Sequence, residues 1–360
     1  MKHLTERYNE SIYTSAAFEF YFSGLKVGVL DIETTGLDPS KNKFILGGLF
    51  DLQTKTMHQF FAENRSEEAD TLAAFYELIS EFDMVITYNG RHFDMPFIAR
   101  RMKAHGIGSD QNHADGPVNT AALLPYNLDL YLVVNGHSPI KKFVPNLKQK
   151  TVENYMGLWQ SREDEISGAE SVELYNRYEN TGKPELEEKI LLHNSDDVLQ
   201  LTRLIKVLSK CDIHKAMYHL GFPVLPSPGS IDVPVGMLMV EKILTEKNSL
   251  VISGRQYQKK GHAPSDVLQG IDYMGFSFGD WPAESRFEKR TSSFTMKLPV
   301  IRESGLCIID IDAAGLDRKE FEKYPSSSSG FLVLEDHNER NFMETNHFVK
   351  SFIELFMKTI

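Results

Sequence analysis

Cysteine is scarce: Cys211 and Cys307 are the only two in 360 residues. Two cysteines cannot build a disulfide framework, and this usage fits a reducing, cytoplasmic setting. Long apolar runs are missing too. None approaches the roughly 20 residues needed to span a bilayer, so no membrane role is expected. The opening residues, MKHLTERYNESIYTS, lack the apolar stretch and small-residue cleavage site of a secretory signal. Positive charge is also in deficit, with 39 Lys and Arg against 50 Asp and Glu, a formal net charge of −11. A protein that grips nucleic acid by charge alone has a basic surface, and this balance argues against one. It does not argue against a nuclease, because carboxylates that bind metal are counted as negative but are neutralised at work.

What remains is an ordinary soluble composition over a length that suits two domains. Residues 27–33 read as a strand, and 44–52 and 56–62 follow after short polar connections, which predicts an antiparallel meander. A helix is expected over 70–82, a buried strand over 84–88, and a second helix from near Pro96. Residues 107–125 read as a loop and 128–134 as a short strand. A long helix fits 187–209, with Val198, Leu201, Ile205 and Leu208 on one face. The prolines between Gly221 and Pro234 mark a linker or irregular entry to a second unit. Beyond it, 271–312 looks strand-rich, Ser326–Gly330 reads as a polar loop, and a helix closes the chain over roughly 345–358.

Three acidic elements carry chemistry. Asp31 and Glu33 are two apart on a strand, so both point to one face. Carboxylates crowded at the end of a buried strand repel unless a cation lies between them, and oxygen-rich sites select hard cations such as Mg²⁺ or Mn²⁺. Gly36 then lets the chain turn away. The second element is Asn89-Gly90-Arg91-His92-Phe93-Asp94, where Asp94 falls just before a helix start and serves either as an N-cap or as a carboxylate facing a metal. The third is His193-Asn194-Ser195-Asp196-Asp197. His193 and Asp197 are four apart and share a helical face, and a histidine there can take a proton from an attacking water. Four acids and a histidine are the parts of two-metal phosphodiester hydrolysis.

Asp31-x-Glu33, Asn89-Gly-x-x-Phe-Asp94 and His193-x-x-x-Asp197 resemble the three motifs of the DEDD, or DnaQ-like, exonuclease superfamily, which has a ribonuclease H-like fold. The sequence is most similar to the YprB-like branch. Leu128-Asp129-Leu130, Asn146-Leu147-Lys148 with Val152-Glu153, and Arg162-Glu163-Asp164-Glu165-Ile166-Ser167-Gly168 add to the likeness, which spans roughly residues 25–210. The resemblance implies that Asp31, Glu33, Asp94 and Asp197 hold two divalent cations, Mg²⁺ or Mn²⁺, and that His193 is the general base. Asp196 is a possible substitute for Asp197. The His193-to-Asp197 spacing is that of the tyrosine subgroup, with histidine in the tyrosine's place. It further implies 3′→5′ exonucleolytic cleavage of nucleic acid, DNA or RNA.

The expected architecture is α/β: a ribonuclease H-like mixed sheet flanked by helices, followed by a smaller α+β C-terminal unit. Its divisions are an N-terminal extension over 1–24, an exonuclease domain over 25–212 and a C-terminal unit over 213–360. Asn89, Lys141, Lys142, Lys148 and Lys150 are candidate substrate contacts, with Phe143 among the lysines. Arg100, Arg101 and Lys103 are a second cationic candidate, and Tyr88, Phe93 and Phe97 are aromatics beside the second motif whose simplest role is core packing. Ile309-Asp310-Ile311-Asp312-Ala313-Ala314-Gly315-Leu316-Asp317 echoes the stretch from Leu30 to Asp38, but no second or third element follows it. Its reading is a strand ending in a glycine turn. A structure-selective endonuclease on the same fold, a catalytically idle nucleic-acid-binding module and a Ca²⁺- or Mg²⁺-stabilised structural protein are the alternative functions.

Overall fold

In a computed structural model of the protein, the described residues are 1–108, 123–158, 166–226, 237–257, 281, 283–288 and 293–359. Most of the loop expected over 107–125, the Arg162–Glu165 stretch, Pro228 and Pro234 of the expected linker, and much of 271–292 lie outside them. The chain divides into two compact units, Met1–Glu19 with Ser23–Cys211, and Phe20–Phe22 with Asp212–Ile360. No helix among the described residues is long and apolar enough to cross a membrane.

The first unit is built on strands β1 (Lys2–Arg7), β2 (Val27–Thr34), β3 (Phe44–Asp51), β4 (Thr56–Phe61), β5 (Met84–Thr87) and β6 (Tyr126–Asp129). They form one mixed sheet in the order β1-β4-β3-β2-β5-β6. The meander β2-β3-β4 is antiparallel as expected, whereas β5 and β6 run parallel to β2 and to each other. Helices α1 (Ala16–Phe22), α2 (Glu68–Ile79), α3 (Asp94–His105), α4 (Leu130–His137), α5 (Gln149–Tyr155), α6 (Gly168–Thr181) and α7 (Pro184–Leu204) complete the element order up to Leu204. On one face of the sheet Leu30, Ile32 and Phe44 pack with Phe75 of α2 and Phe97 and Ile98 of α3. On the other, Ile45, Leu46 and Phe61 pack with Tyr175 and Tyr178 of α6 and Ile190 of α7. This is the ribonuclease H-like mixed sheet flanked by helices.

Three sequence expectations change. Lys2–Arg7, placed in the N-terminal extension, is the edge strand, in register with β4 from Lys2 opposite Phe61 to Arg7 opposite Thr56. It is almost wholly exposed, so it carries no apolar alternation to betray it. Of residues 128–134, only Leu128 and Asp129 are strand: β6 ends at Asp129, whose carboxylate accepts the amides of Tyr131 and Leu132 and starts α4. A short apolar run fits a buried helix as well as a strand. The long helix begins at Pro184, and after Leu204 tightens into a 3₁₀ turn over Ile205–Lys210.

The second unit is α+β. Helix α8 (Ile213–Leu220) precedes β7 (Phe222–Val224), β8 (Met237–Thr245), β9 (Ser249–Tyr257), β10 (Glu284–Glu288) and β11 (Ser293–Pro299), paired antiparallel in the order β10-β11-β9-β8-β7. A second antiparallel sheet joins β12 (Ile301–Glu303), β13 (Leu306–Asp310), β14 (Phe331–Asp336) and β15 (Glu339–Arg340), and α9 (Phe342–Thr359) follows. The polar loop expected near Ser326 is a 3₁₀ turn over Pro325–Ser329.

One buried ion cluster ties the last turns of α3 to the start of α2. Glu68, at the start of α2, is 1% exposed. Its carboxylate accepts the Phe44 amide at 2.9 Å, Arg101 Nε at 2.7 Å and Nη2 at 2.6 Å, and His105 Nε2 at 2.8 Å, with Lys43 Nζ 3.1 Å away. Arg101 is therefore not a surface cation, as the sequence allowed, but a buried strut between α2 and α3. Burial alone disfavours the charged Glu68, yet the hydrogen bonds from Arg101, Phe44, His105 and Lys43 outweigh it and hold its pKa at about 2. The folded state thus keeps the charged form that the unfolded chain loses below about 4.5. The stabilisation is complete above that pH and is lost as pH falls towards 2. Arg101→Met leaves Glu68 buried without its main partner and is expected to cost about 3–5 kcal/mol in denaturant unfolding. The acid limb of its stability profile should be shallower over the same window; a wild-type profile in the variant would show that the pair contributes nothing.

Candidate active site

Strand β2 ends in Asp31 and Glu33, both directed towards α7. Opposite them in β3 are Gly48 and Leu46. Adjacent glycines in β3 give the sheet room on both faces: a Cβ on Gly47 would strike the Phe75 ring of α2, and a Cβ on Gly48 would strike the side-chain amide of Asn194 on α7. That amide is held in turn. Gln59 of β4 donates to Asn194 Oδ1 at 3.0 Å and to the Leu191 carbonyl at 2.8 Å. Asn194 Nδ2 then donates to Asp31 Oδ2 at 3.2 Å and to the Asp31 carbonyl at 3.3 Å.

Asp94 is not an N-cap. Phe93 holds that position without a side-chain cap bond, and Asp94 is the first helical residue. Its carboxylate instead accepts the amide of Ile32, between Asp31 and Glu33, at 3.3 Å. The turn that delivers it is strained at Asn89, which has φ 66°. Asp129, fully buried, clamps this turn by accepting the amides of Asn89 at 2.9 Å and Arg91 at 3.0 Å. Arg91 reaches back to the Asn127 carbonyl at 2.8 Å.

Helix α7 supplies the remaining groups. Buried His193 places Nε2 3.6 Å from Glu33 Oε1 and 3.8 Å from Asp197 Oδ2. Asp196 is buried on the same helix. The structure therefore brings together Asp31, Glu33, Asp94, His193 and Asp197, from β2, α3 and α7.

These acids oppose one another. Burial, then repulsion from Asp94, Asp197 and Glu33, lifts the Asp31 carboxyl well above its ordinary range, against the Asn194 hydrogen bond. Burial likewise pushes Asp94 up to about 7, although its own amide and that of Ile32 favour the charged form. A hard dication relieves both burdens, and an all-carboxylate oxygen donor set suits one. Among the described residues, no three His, Cys, Asp or Glu side chains stand in an arrangement that holds a metal ion as placed. The fit is in donor chemistry and charge.

The candidate substrate contacts divide. Lys141 Nζ is tied to the Asn135 carbonyl at 2.7 Å and Lys150 Nζ to the Ile166 carbonyl at 2.8 Å. Lys142 and Lys148 are exposed. Asn89 and Lys148 line a cleft of about 550 Å³ with Tyr88, Tyr131, Asn146, Leu147 and Gln149. Gln149 Nε2 donates to the Asp197 carbonyl at 3.0 Å, so the cleft borders the acidic group. Phe93 and Phe97 belong to the core, while Tyr88 donates its hydroxyl to the Leu147 carbonyl at 2.6 Å.

The sequence reading missed Gly48, Gln59 and Asn194, and it knew Asp129 only through family likeness. An aspartate immediately before an apolar run is an N-cap signature and offered a signal for Asp129. Gln59 and Gly48 carry no local signal, since their partner lies over 130 residues away.

A mixed sheet in this order, with acids gathered from its interior strand β2 and from helices on either side, defines a ribonuclease H-like domain. The RNase_H superfamily model matches residues 29–209, just over half of the chain, and the protein belongs to that superfamily. Among curated proteins, none matches this sequence. Among solved structures, the family B DNA polymerase of the archaeon Pyrobaculum calidifontis is 22% identical over 51% of this chain, with a TM-score of 0.40; the chain spans 24% of that polymerase. E. coli exonuclease I in complex with a dT13 oligonucleotide is 13% identical over 85% of this chain and 73% of its own, with a TM-score of 0.27. Brucella melitensis NrnC with bound Mg²⁺ is 13% identical over 51% and 82%, with a TM-score of 0.24.

Gly48→Ala is expected to destabilise the fold by about 1–3 kcal/mol through overpacking against Asn194. Combined with Asn194→Ala, which vacates that space, it should cost less than the sum of the single changes by about 0.5–3 kcal/mol. Urea unfolding of the four proteins measures the coupling, and strict additivity would mean that the two positions do not meet.

Proposed function

We propose that the protein is a metal-dependent nuclease of the DEDD class, a 3′→5′ exonuclease similar to the YprB-like branch. The observation that supports it most is the gathering of Asp31, Glu33, Asp94 and Asp197 around His193 from three separate elements. In this reading the reaction belongs to residues 25–212, the N-terminal extension is 1–24, and 213–360 form the C-terminal unit.

The four carboxylates would hold two divalent ions, Mg²⁺ or Mn²⁺, which supply positive charge to offset what builds up on phosphorus and on the departing oxygen. His193 takes the proton of the attacking water through Nε2, which faces Glu33 and Asp197. The water oxygen bonds to phosphorus, the bond to the neighbouring nucleotide's 3′ oxygen breaks, and that oxygen leaves with a proton. Asn194 keeps Asp31 in place, and Asp129 sets the turn that presents Asp94. Asn89, Lys141, Lys142, Lys148 and Lys150 are the substrate contacts of this reading; Lys142 and Lys148 extend towards solvent to meet phosphates, and Asn89 lines the adjoining cleft.

The test uses end-labelled single- and double-stranded DNA and RNA with Mg²⁺ or Mn²⁺. A ladder shortening from the 3′ end is expected, and Asp31→Asn should abolish it. Cleavage that persists in Asp31→Asn would remove this site from the reaction. Internal cuts would establish the endonuclease, and binding without any cleavage the idle module. His193→Ala should lower the rate by about 10²–10⁴-fold and alter the pH–rate profile. An unchanged profile would rule His193 out as the base.

A further inference from the structure

Between the 3₁₀ turn at Pro139–Lys142 and the end of α5, two aromatic rings stand out from the surface. Phe143 is 67% exposed and Tyr155 is 45% exposed. Their ring planes lie within 17° of parallel, with centroids 6.4 Å apart. A single exposed ring is unremarkable, because folded surfaces carry much apolar area. Two rings held nearly parallel are a different arrangement, and exposed lysines accompany them in the chain, Lys142 next to Phe143 and Lys148 just before the helix that ends in Tyr155. Aromatic faces for bases and cations for the backbone are the two components with which proteins hold unpaired nucleic acid.

The position supports the same reading. Asn146, Leu147, Lys148 and Gln149 line the cleft beside Tyr88 and Tyr131, and Gln149 bonds the backbone at Asp197. From Gln149 to Tyr155 helix α5 advances about 9 Å at about 1.5 Å per residue. That is close to three stacked nucleotides at about 3.4 Å each. Gln149 at the start of α5 thus touches both the cleft and the acidic group, and Tyr155 ends the same helix. A paired base hides its faces in the stack of its own duplex, so rings of this kind select strands whose bases are free. With a net charge of −11, little else in the chain would hold a duplex by charge.

We propose that Phe143 and Tyr155, together with Lys142 and Lys148, form a stacking platform that leads single-stranded nucleic acid through the Tyr88–Tyr131 cleft to the acidic site. The proposal rests on the nuclease reading for its substrate class, but its test does not require turnover. Binding of fluorescent 12-nucleotide oligo-dT, 12-nucleotide oligo-U and a blunt DNA hairpin to the full chain is followed by anisotropy in EDTA, at two salt concentrations. Wild-type protein is expected to bind at least one single strand about tenfold or more tightly than the hairpin. Phe143→Leu and Tyr155→Leu, which stay apolar but cannot stack, should each weaken single-strand binding by about tenfold, the effect of about 1.4 kcal/mol within the range known for one base. Phe143→Trp should retain it, and thermal melting of all variants should match wild type. Leucine variants that bind like wild type, a hairpin bound as tightly as the single strands, or no single-strand binding by wild type would each overturn the platform. Ring-dependent binding by a protein that cleaves nothing would refute the nuclease reading and leave the platform standing.

Discussion

Repulsion among carboxylates is the constraint around which the first unit is arranged. Asp31, Glu33, Asp94 and Asp197 come from β2, α3 and α7, and burial raises the cost of charging Asp31 and Asp94. Nothing in ordinary packing favours such an assembly, because each acid would be more stable in solvent or beside a base. The surroundings show how the chain sustains it. The Ile32 amide and the Asn194 side chain donate into the cluster, and each favours the charged form of the acid it meets. Arginines nearby are engaged elsewhere: Arg101 neutralises Glu68, and Arg91 binds the Asn127 carbonyl. Asp31 and Asp94 are thus positioned by neutral donors, while burial and the neighbouring acids still oppose their charging, a burden that a divalent cation would relieve.

Precision in this arrangement comes from backbone rather than from side chains alone. Gly47 and Gly48 allow α2 and α7 to approach opposite faces of β3, and the α7 approach brings Asn194 to Asp31. Asn89 in a left-handed conformation, held by the hydrogen bonds that its own amide and that of Arg91 donate to buried Asp129, aims α3 so that Asp94 meets β2. The Glu68–Arg101 cluster ties the far part of α3 to the start of α2. Displacing any of these elements moves a carboxylate, and catalytic geometry tolerates only small displacements.

Legibility in the sequence followed the distance over which each feature is specified. Asp31 and Glu33 were readable because strand pleating puts alternate residues on one face. His193 and Asp197 were readable because one helical turn separates them. The meander and the buried strand β5 followed from apolar patterning and short polar connections. Gln59 bonding Asn194, and Gly48 making room for it, are long-range contacts that no local pattern encodes. Arg101 read as one of a cationic group, since charge in a sequence does not reveal burial. Residues 128–134 read as a strand because a short apolar run leaves the period undetermined, and Asp129 decided the outcome by capping α4. The edge strand Lys2–Arg7 is specified by its pairing with β4, not by its own composition.

The echo at Asp310–Asp317 separates a motif from its physics. Its residues nearly repeat those from Asp31 to Asp38, and it too is a strand, β13, running into a turn with Gly315 at φ 74°. There, however, each acid is satisfied by a close neighbour in the chain. Asp310 accepts the Ala313 amide, Asp312 pairs with Arg318, and Asp317 accepts the Lys319 amide and caps a 3₁₀ turn. The Arg318 bond holds the Asp312 carboxyl below its usual range, whereas the repelling acids around Asp31 push that one up. The same letters therefore produce opposite electrostatics. Acids that find local donors stabilise a turn, while those that converge on Asp31 from distant elements raise the cost of charging it. It is this difference in surroundings, not the Asp-x-Glu pattern, that sets β2 apart from β13.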